Sequence, residues 1–456
     1  MKSRSRLLLH RSALVAGLAA MSSSASAAFF QIAEQSASGI GNAFAGGAAA
    51  TEDASVVWYN PAGMTRLGQQ LVVGGHLISP SFKTTVVSAS AVTTSPISGG
   101  GGDPGESAFV PNLYYTRPIT SSFSLGAGIN APFGLATEYD STWAGRYHAT
   151  RSEIKDLNAS FSGAYKFNDM LSAGAGINYQ QLNAELSQAV DFATLCTIIP
   201  GPGNVFLNSC GLGAGFNPST NPNDGQAKVK ADSNAWGYNL GILAQLTRDL
   251  RVGAAYRSKM KHSLSGNFDI TTPTNAAAFA GAAGLVNSGA KADITLPATW
   301  SLSAYQELGS QWALMADVTR TNWSALPELR IKFDSSQQDS VVTLNLKDVY
   351  RYSIGGTYKP STAWVLRMGI ALDQSPTTDS AYRTPRLPDS DRTWLSLGAG
   401  FQASPALNLD FAYTYIKMDD SQVRKTATGE NTSRGNLSAD YTGTIQILSA
   451  QVRWMF

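Results

Sequence analysis

The stretch Leu407-Asn408-Leu409-Asp410-Phe411-Ala412-Tyr413-Thr414-Tyr415 decides the fold. In an extended chain its odd positions present Leu, Leu, Phe, Tyr and Tyr to one side, while Asn408, Asp410, Ala412 and Thr414 face the other. The same alternation sets Leu157, Ala159, Phe161, Gly163 and Tyr165 against Asn158, Ser160, Ser162 and Ala164. A soluble β-sandwich also alternates, but in short strands. Here the segments run to ten residues or so and carry aromatics near their ends. A lipid bilayer imposes that length, and its interfaces favour Tyr and Trp.

Working outward, fourteen such segments lie between residue 69 and the C-terminus. Their connections alternate in length. Tight turns such as Asn168-Asp169, Arg248-Asp249 and Gly309-Ser310 separate them on one side. On the other, the Gly/Ser/Pro/Asn-rich stretches 80–108, 134–152, 187–231, 265–292, 334–346, 375–391 and 419–440 are expected to be long loops. Short periplasmic turns against long outer loops, with an even strand number, predict a 14-stranded antiparallel transmembrane β-barrel, an all-β fold. The last segment agrees: Leu448, Ala450, Val452, Trp454 and Phe456 share one face, and the chain stops on the aromatic. Such a terminal strand is the kind of signal that barrel-insertion machinery reads.

Composition agrees. Of 456 residues only 14% are charged, against roughly 25% in soluble domains. No run of 18 apolar residues occurs to make a spanning helix. The chain opens with Lys2, Arg4, Arg6 and Arg11, a short apolar core, and Ala25-Ser26-Ala27, which fits a signal peptide (1–27) cleaved after Ala27 and export to the bacterial outer membrane. A membrane anchor is disfavoured because His10, Arg11 and Ser12 interrupt the apolar core. Removing residues 1–27 takes away four basic and no acidic groups, leaving 30 basic against 32 acidic side chains and no excess to attract nucleic acid. Cys196 and Cys210 are expected to pair in that oxidising compartment, closing a loop that stabilises by roughly 2–4 kcal/mol.

Residues 28–67 do not alternate. Positions 36–50 are dense in Gly, Ala and Ser, with Ile40 and Phe44 the larger apolar groups, and Asn60-Pro61-Ala62-Gly63 is a turn. Phe44, Trp58 and Tyr59 favour packing inside the lumen of a barrel formed by 68–456, as a plug, over a free periplasmic tail.

The sequence resembles the FadL-type outer-membrane long-chain fatty-acid transport family and its aromatic-hydrocarbon-channel relatives. The resemblance is carried by Phe30-Gln31, by Ser38-Gly39-Ile40-Gly41-Asn42-Ala43-Phe44-Ala45-Gly46, by Glu52-Asp53-Ala54 and by Asn60-Pro61-Ala62. It continues through Phe133-Gly134-Leu135-Ala136-Thr137-Glu138, Trp236-Gly237-Tyr238-Asn239, Leu296-Pro297-Ala298-Thr299-Trp300 and Leu387-Pro388-Asp389-Ser390-Asp391-Arg392-Thr393-Trp394, in family order over nearly the whole chain. It implies an N-terminal hatch (28–67) closing the barrel, capture of substrate between outer loops, a pocket beside the hatch, and lateral release into the membrane through a kinked third strand. Phe30 is then the hatch residue expected at the ligand, with Asn60, Pro61 and Ala62 holding the hatch turn.

Pro132, Phe133 and Gly134 fit the kink, because Pro removes a ladder donor and Gly tolerates a bulge. A fatty carboxylate needs a charge-assisted donor. The stretches aligned with the family's deep basic residues, 180–185 and 341–346, hold no Lys or Arg, which leaves Lys347, Arg351 and Arg392 as the candidates.

The expected partners are a long-chain fatty acid or other hydrophobic small molecule and the lipopolysaccharide and phospholipid bilayer around a monomer. No cofactor or metal is implied. A Ser-His lipid hydrolase finds no nucleophile motif around His148 or His262. A receptor-only barrel and a hydrocarbon channel remain as alternatives, and an open porin would need no plug.

Overall fold

The computed structural model describes residues 29–92, 94–198 and 224–456. Fourteen antiparallel strands close into one barrel. In order they are β1 (Gln70–Ser90), β2 (Ala108–Pro118), β3 in two pieces (Phe123–Asn130 and Gly134–Glu138), β4 (Arg151–Lys166), β5 (Leu171–Asp191) and β6 (Asp224–Gln245). There follow β7 (Leu250–Arg257 and Met260–Thr271), β8 (Ser288–Leu296 and Thr299–Leu308), β9 (Trp312–Thr321, resumed at Glu328–Phe333) and β10 (Ser340–Thr343 and Val349–Tyr358). The last four are β11 (Trp364–Asp373), β12 (Arg392–Ser404), β13 (Leu407–Lys425) and β14 (Asn436–Met455). Each pairs with its neighbours in sequence, and β1 closes on β14 from Gln70↔Met455 to Ser90↔Asn436. Closure leaves no edge strand, the condition for a sheet to sit in hydrocarbon.

The faces are inverted relative to a soluble sheet. In β13, Phe411 is 56% exposed while Asp410 and Thr414 are buried. In β6, Trp236, Tyr238, Leu240 and Ile242 point outward, and Ala235 and Asn239 are buried. Apolar side chains line the outer wall and polar ones the interior, which is stable only with lipid outside. Aromatic pairs band that wall. Trp312–Tyr358, Trp364–Phe401 and Trp454–Phe456 lie near the short turns, and Tyr179–Trp236, Tyr256–Trp300 and Tyr350–Tyr352 nearer the other end. Amphipathic rings favour both interfaces, so the two bands mark the bilayer's limits.

The expected strand number and order hold, but the long loops are shorter than the sequence suggests. β1 runs eleven residues into the expected loop 80–108, to Ser90. β5 and β6 continue into 187–231 as far as the pair Asp191↔Asp224, and β13 and β14 extend into 419–440, to Lys425 and from Asn436. These extensions, such as Lys83-Thr84-Thr85 and Lys228-Val229-Lys230, lack the outward apolar set because they stand beyond the lipid. The ladder continues where the lipid-facing signal stops.

Candidate functional site

Residues 29–67 pack against interior-facing groups from around the wall. The helix Ala37–Ile40 is capped by Ser36, whose hydroxyl accepts from the Gly39 N–H at 3.1 Å. A second helix, Val56–Tyr59, leads to Asn60, the N-cap of the 3-10 turn Pro61–Arg66. Asn60 makes three bonds: Oδ1 accepts from the Ala62 N–H at 3.0 Å, and Nδ2 donates to Ala48 O at 2.6 Å and to Ile242 O of β6 at 3.0 Å. The close approach requires glycine in the wall. A methyl at Gly241 would strike Asn60, and one at Gly369 would strike the Asn42 backbone.

Charge holds the same segment to the far wall. Arg367 of β11 lies 3.0 Å from Glu52 and 2.8 Å from Asp410 of β13. Gln451 of β14 donates to Asp53 at 2.8 Å and to Asp410 at 3.1 Å, and its Oε1 accepts from the Ala37 N–H at 2.8 Å. Asp53 also accepts from Ser38 and from the Ser55 N–H at 2.9 Å, and these bonds together with the Arg453 charge outweigh burial and hold its carboxyl below the usual range. Arg257 lies over the Trp58 ring.

The wall is open at one place. The β2–β3 ladder runs from Pro118↔Ser124 to Leu113↔Ile129 and stops. Beyond it, Ala108–Asn112 pairs with β1 alone, and Gly134–Glu138 pairs with β4. The break falls at Ala131, Pro132 and Phe133, and the next link between these walls is the bridge Gly105↔Thr137. Across the window lies the start of the N-terminal segment. Ile32 N–H donates to Pro132 O at 2.7 Å, Gly134 N–H donates to Phe30 O at 2.9 Å, and Gln31 bridges to Phe133.

Beside the window buried apolar side chains pack around Trp323, whose ring centroid is 5.0 Å from those of both Phe29 and Phe30, and this packed cluster is called the inner chamber. Phe133, Leu182, Leu264 and Leu296 complete its near side. A second apolar space, of about 930 Å³, lies between the loops at the end opposite the short turns, walled by Leu186, Val190, Phe268, Ile270, Leu285 and Phe333. The two are joined. Leu186, Val229, Leu329 and Ile331 border both the outer cavity and a narrow space whose other wall includes Leu264, a residue of the chamber.

The structure distributes the expected site residues as follows. Phe30 and Phe133 lie 5.9 Å apart with their rings tilted by 57° in this cluster, and Pro132 and Gly134 frame the window. Arg351 lies behind the N-terminal segment in a small cavity of mixed polarity, about 110 Å³, 4.0 Å from Asp317 and 5.4 Å from the Phe44 ring. Its Nη1 is buried with no protein partner. Arg392 is paired with Asp389, whose carboxylate also accepts from the Phe29 N–H at 3.3 Å, so it positions the chamber's first aromatic. Lys347 stands apart, exposed. Cys196 is buried in the helix Phe192–Ile198, whereas Cys210 lies outside the described residues.

Sequence reasoning missed Trp323, Glu34, Arg386 and Arg434. Trp323 falls in a 3-10 turn between strand pieces, where alternation gives no cue. Arg386 adjoins the motif that begins at Leu387. Glu34 and Arg434 carry no local signal.

A closed barrel with a lipid-facing outer wall, an occupied lumen and an apolar trail from its outer loops to a gap in its side is an outer-membrane transporter of hydrophobic molecules. The chain belongs to the family described as "Outer membrane protein transport protein (OMPP1/FadL/TodX)", whose model matches residues 18–456. It is 31% identical over 425 residues to the long-chain fatty acid transport protein of Escherichia coli O6:H1 (strain CFT073), covering 90% of this chain and 92% of that one. It is 32% identical over 464 residues to outer membrane protein P1 of Haemophilus influenzae (strain Rd), covering 95% and 96%. In three dimensions it resembles the crystal structure of a Pseudomonas aeruginosa FadL homologue, with a TM-score of 0.85 at 26% identity over 94% of this chain and 100% of that one. These relatives are transporters and outer-membrane proteins, not enzymes.

Proposed function

We propose that the protein takes up long-chain fatty acids passively. The outer cavity captures the acyl chain, the apolar trail passes it to the chamber beside Phe29 and Phe30, and displacement of residues 29–67 as a hatch opens the window between β2 and β3 to the bilayer. The observation that carries this reading is the continuity of apolar side chains from the outer cavity through Leu264 to the break at Pro132. Each methylene forced into a polar lumen costs about 0.8 kcal/mol. Ten of them would stall in water, while a trail ending at a side window keeps them covered throughout. The 31% identity to a long-chain fatty acid transport protein supports the cargo.

Growth on oleate and initial oleate uptake, compared in a strain with and without the gene, test the cargo. Loss of both without the gene is expected, and normal uptake without it refutes the fatty-acid reading. Toluene uptake in the same pair tests the hydrocarbon alternative. Pro132→Val with Gly134→Val, which favours a regular β3, is expected to slow uptake; unchanged uptake refutes the side exit.

A further inference from the structure

The outer cavity is not uniformly apolar. Arg386 and Arg434 both line it, together with Val190, Ile270, Leu285 and Phe333. Both guanidinium groups are buried, yet each is bonded to neutral acceptors. Arg386 donates to Arg151 O at 3.2 Å, to Ser152 Oγ and Ser187 O at 3.1 Å, and to Gln188 Oε1 at 2.9 Å. Arg434 donates to Val341 O at 2.8 Å and to Ser340 Oγ at 2.9 Å. The acids that share the cavity are engaged elsewhere: both Glu430 oxygens accept from Thr343, and Asp339 lies 3.4 Å from Arg330. Lys425 adds a third buried cation close by, donating to Ala381 O.

Buried cations are ordinarily paired with anions. Among the described residues neither guanidinium has an ion-pair partner within 4 Å, although the Glu430 charge acts on Arg434, and their protonation reflects it. Burial first, and then the Arg434 charge, push Arg386 down to about 9. An anion seated between them relieves both effects. A volume of about 930 Å³ lies within the roughly 300–1,000 Å³ that takes a drug-sized ligand, and Leu186, Val190, Phe268, Ile270, Leu285 and Phe333 supply apolar wall for a tail.

We propose that Arg386 and Arg434 form a carboxylate seat in the outer cavity, which selects anionic amphiphiles, with a charged head and an apolar tail, over neutral molecules of the same tail. The inference rests on the transport reading above and adds where selection occurs: at capture, before the chamber. The seat contributes charge-assisted bonds that an alcohol or an alkane cannot replace.

The test is ligand discrimination by the full-length protein in lipid nanodiscs, with an environment-sensitive fluorophore on Leu285→Cys to report the outer cavity alone. Oleate and oleyl alcohol are titrated. The wild-type background is expected to bind oleate at least about tenfold more tightly than oleyl alcohol. Arg434→Gln is expected to remove most of that ratio by weakening oleate alone, and Arg434→Lys to restore part of it. Arg386 also ties its loop to β4 and β5, so Arg386→Gln is interpreted only on protein that retains the heat-modifiable mobility of a folded barrel. Equal affinity for acid and alcohol in the wild type overturns the proposal, as does a parallel loss of both in Arg434→Gln. Because oleate uptake by cells is measured separately, its absence would defeat the transport reading and leave this discrimination to stand or fall by itself.

Discussion

Arg367→Met isolates what holds the N-terminal segment in the lumen. The guanidinium is 3.0 Å from Glu52 and 2.8 Å from Asp410, and its side chain is 5% exposed. Methionine fills a similar volume and leaves two carboxylates facing each other. Breaking a buried pair by removing one partner costs about 3–5 kcal/mol. The lower figure suits this site, because Glu52 keeps 24% exposure and can draw on water, and Asp410 retains its 3.1 Å bond from Gln451. At about 1.4 kcal/mol per factor of ten, a loss of about 3 kcal/mol raises the population of the released segment by roughly a hundredfold. Hydrogen exchange at residues 37–50 measures this directly, and conductance in a planar bilayer gives an independent reading. The pair Arg367→Met with Asp410→Leu removes the buried carboxylate of the two, leaving the partly exposed Glu52 to water, and is expected to recover most of the loss. Unchanged exchange in Arg367→Met refutes the anchoring argument, and equal loss in single and double variants refutes its electrostatic basis.

Other consequences follow from the same contacts. Burial pushes the Glu34 carboxyl up to about 7, against opposing pulls from its own backbone N–H, Arg351 and Arg392. A folded value raised from 4.5 favours the docked segment below pH 4.5, and that advantage is lost as pH rises to about 7, amounting to as much as about 3 kcal/mol. Protection of the amides at residues 37–50, corrected for the intrinsic rise of exchange with pH, should therefore fall between pH 5 and 7 in the wild type and stay level in Glu34→Gln; a fall that survives the substitution refutes the assignment. Asn60→Ala removes an N-cap, a bond to Ala48 within the segment and a bond to Ile242 of the wall, and about 2 kcal/mol of segment stability should go with them, seen as faster proteolysis of the N-terminal region. Gly369→Ala drives a methyl into the Asn42 backbone and is expected to cost about 1–3 kcal/mol of docking in the same proteolysis assay, whereas alanine at Gly309, in an open turn at φ 69°, should cost less and leave the segment protected.

The barrel was legible because lipid forces a period of two and aromatic ends onto every strand, as in 407–415. Strand ends were not legible, because beyond the lipid a ladder such as Lys228-Val229-Lys230 pairs without an outward apolar face. The break in β3 could be located from Pro132 and Gly134, since both act on the local backbone. The charged partners could not. Arg386 and Arg434 are 48 residues apart in sequence, and only closure of the barrel brings their loops onto one cavity. Lys347, by contrast, is one residue beyond an inward-facing leucine, and that single step turns it to solvent.

The central claim is that fatty acid leaves through the window that Phe30, Gln31 and Ile32 now cross. Gln31 and Phe133 form a bridge pair there, and opposed positions in such a pair have Cβ atoms about 4.5–5.5 Å apart, near enough for a disulfide after a small adjustment. In cells carrying Gln31→Cys with Phe133→Cys, labelled oleate uptake should be abolished when the pair is oxidised and return on reduction to the rate of the reduced variant. Oleate uptake that proceeds equally fast with the bond closed and open would contradict the account.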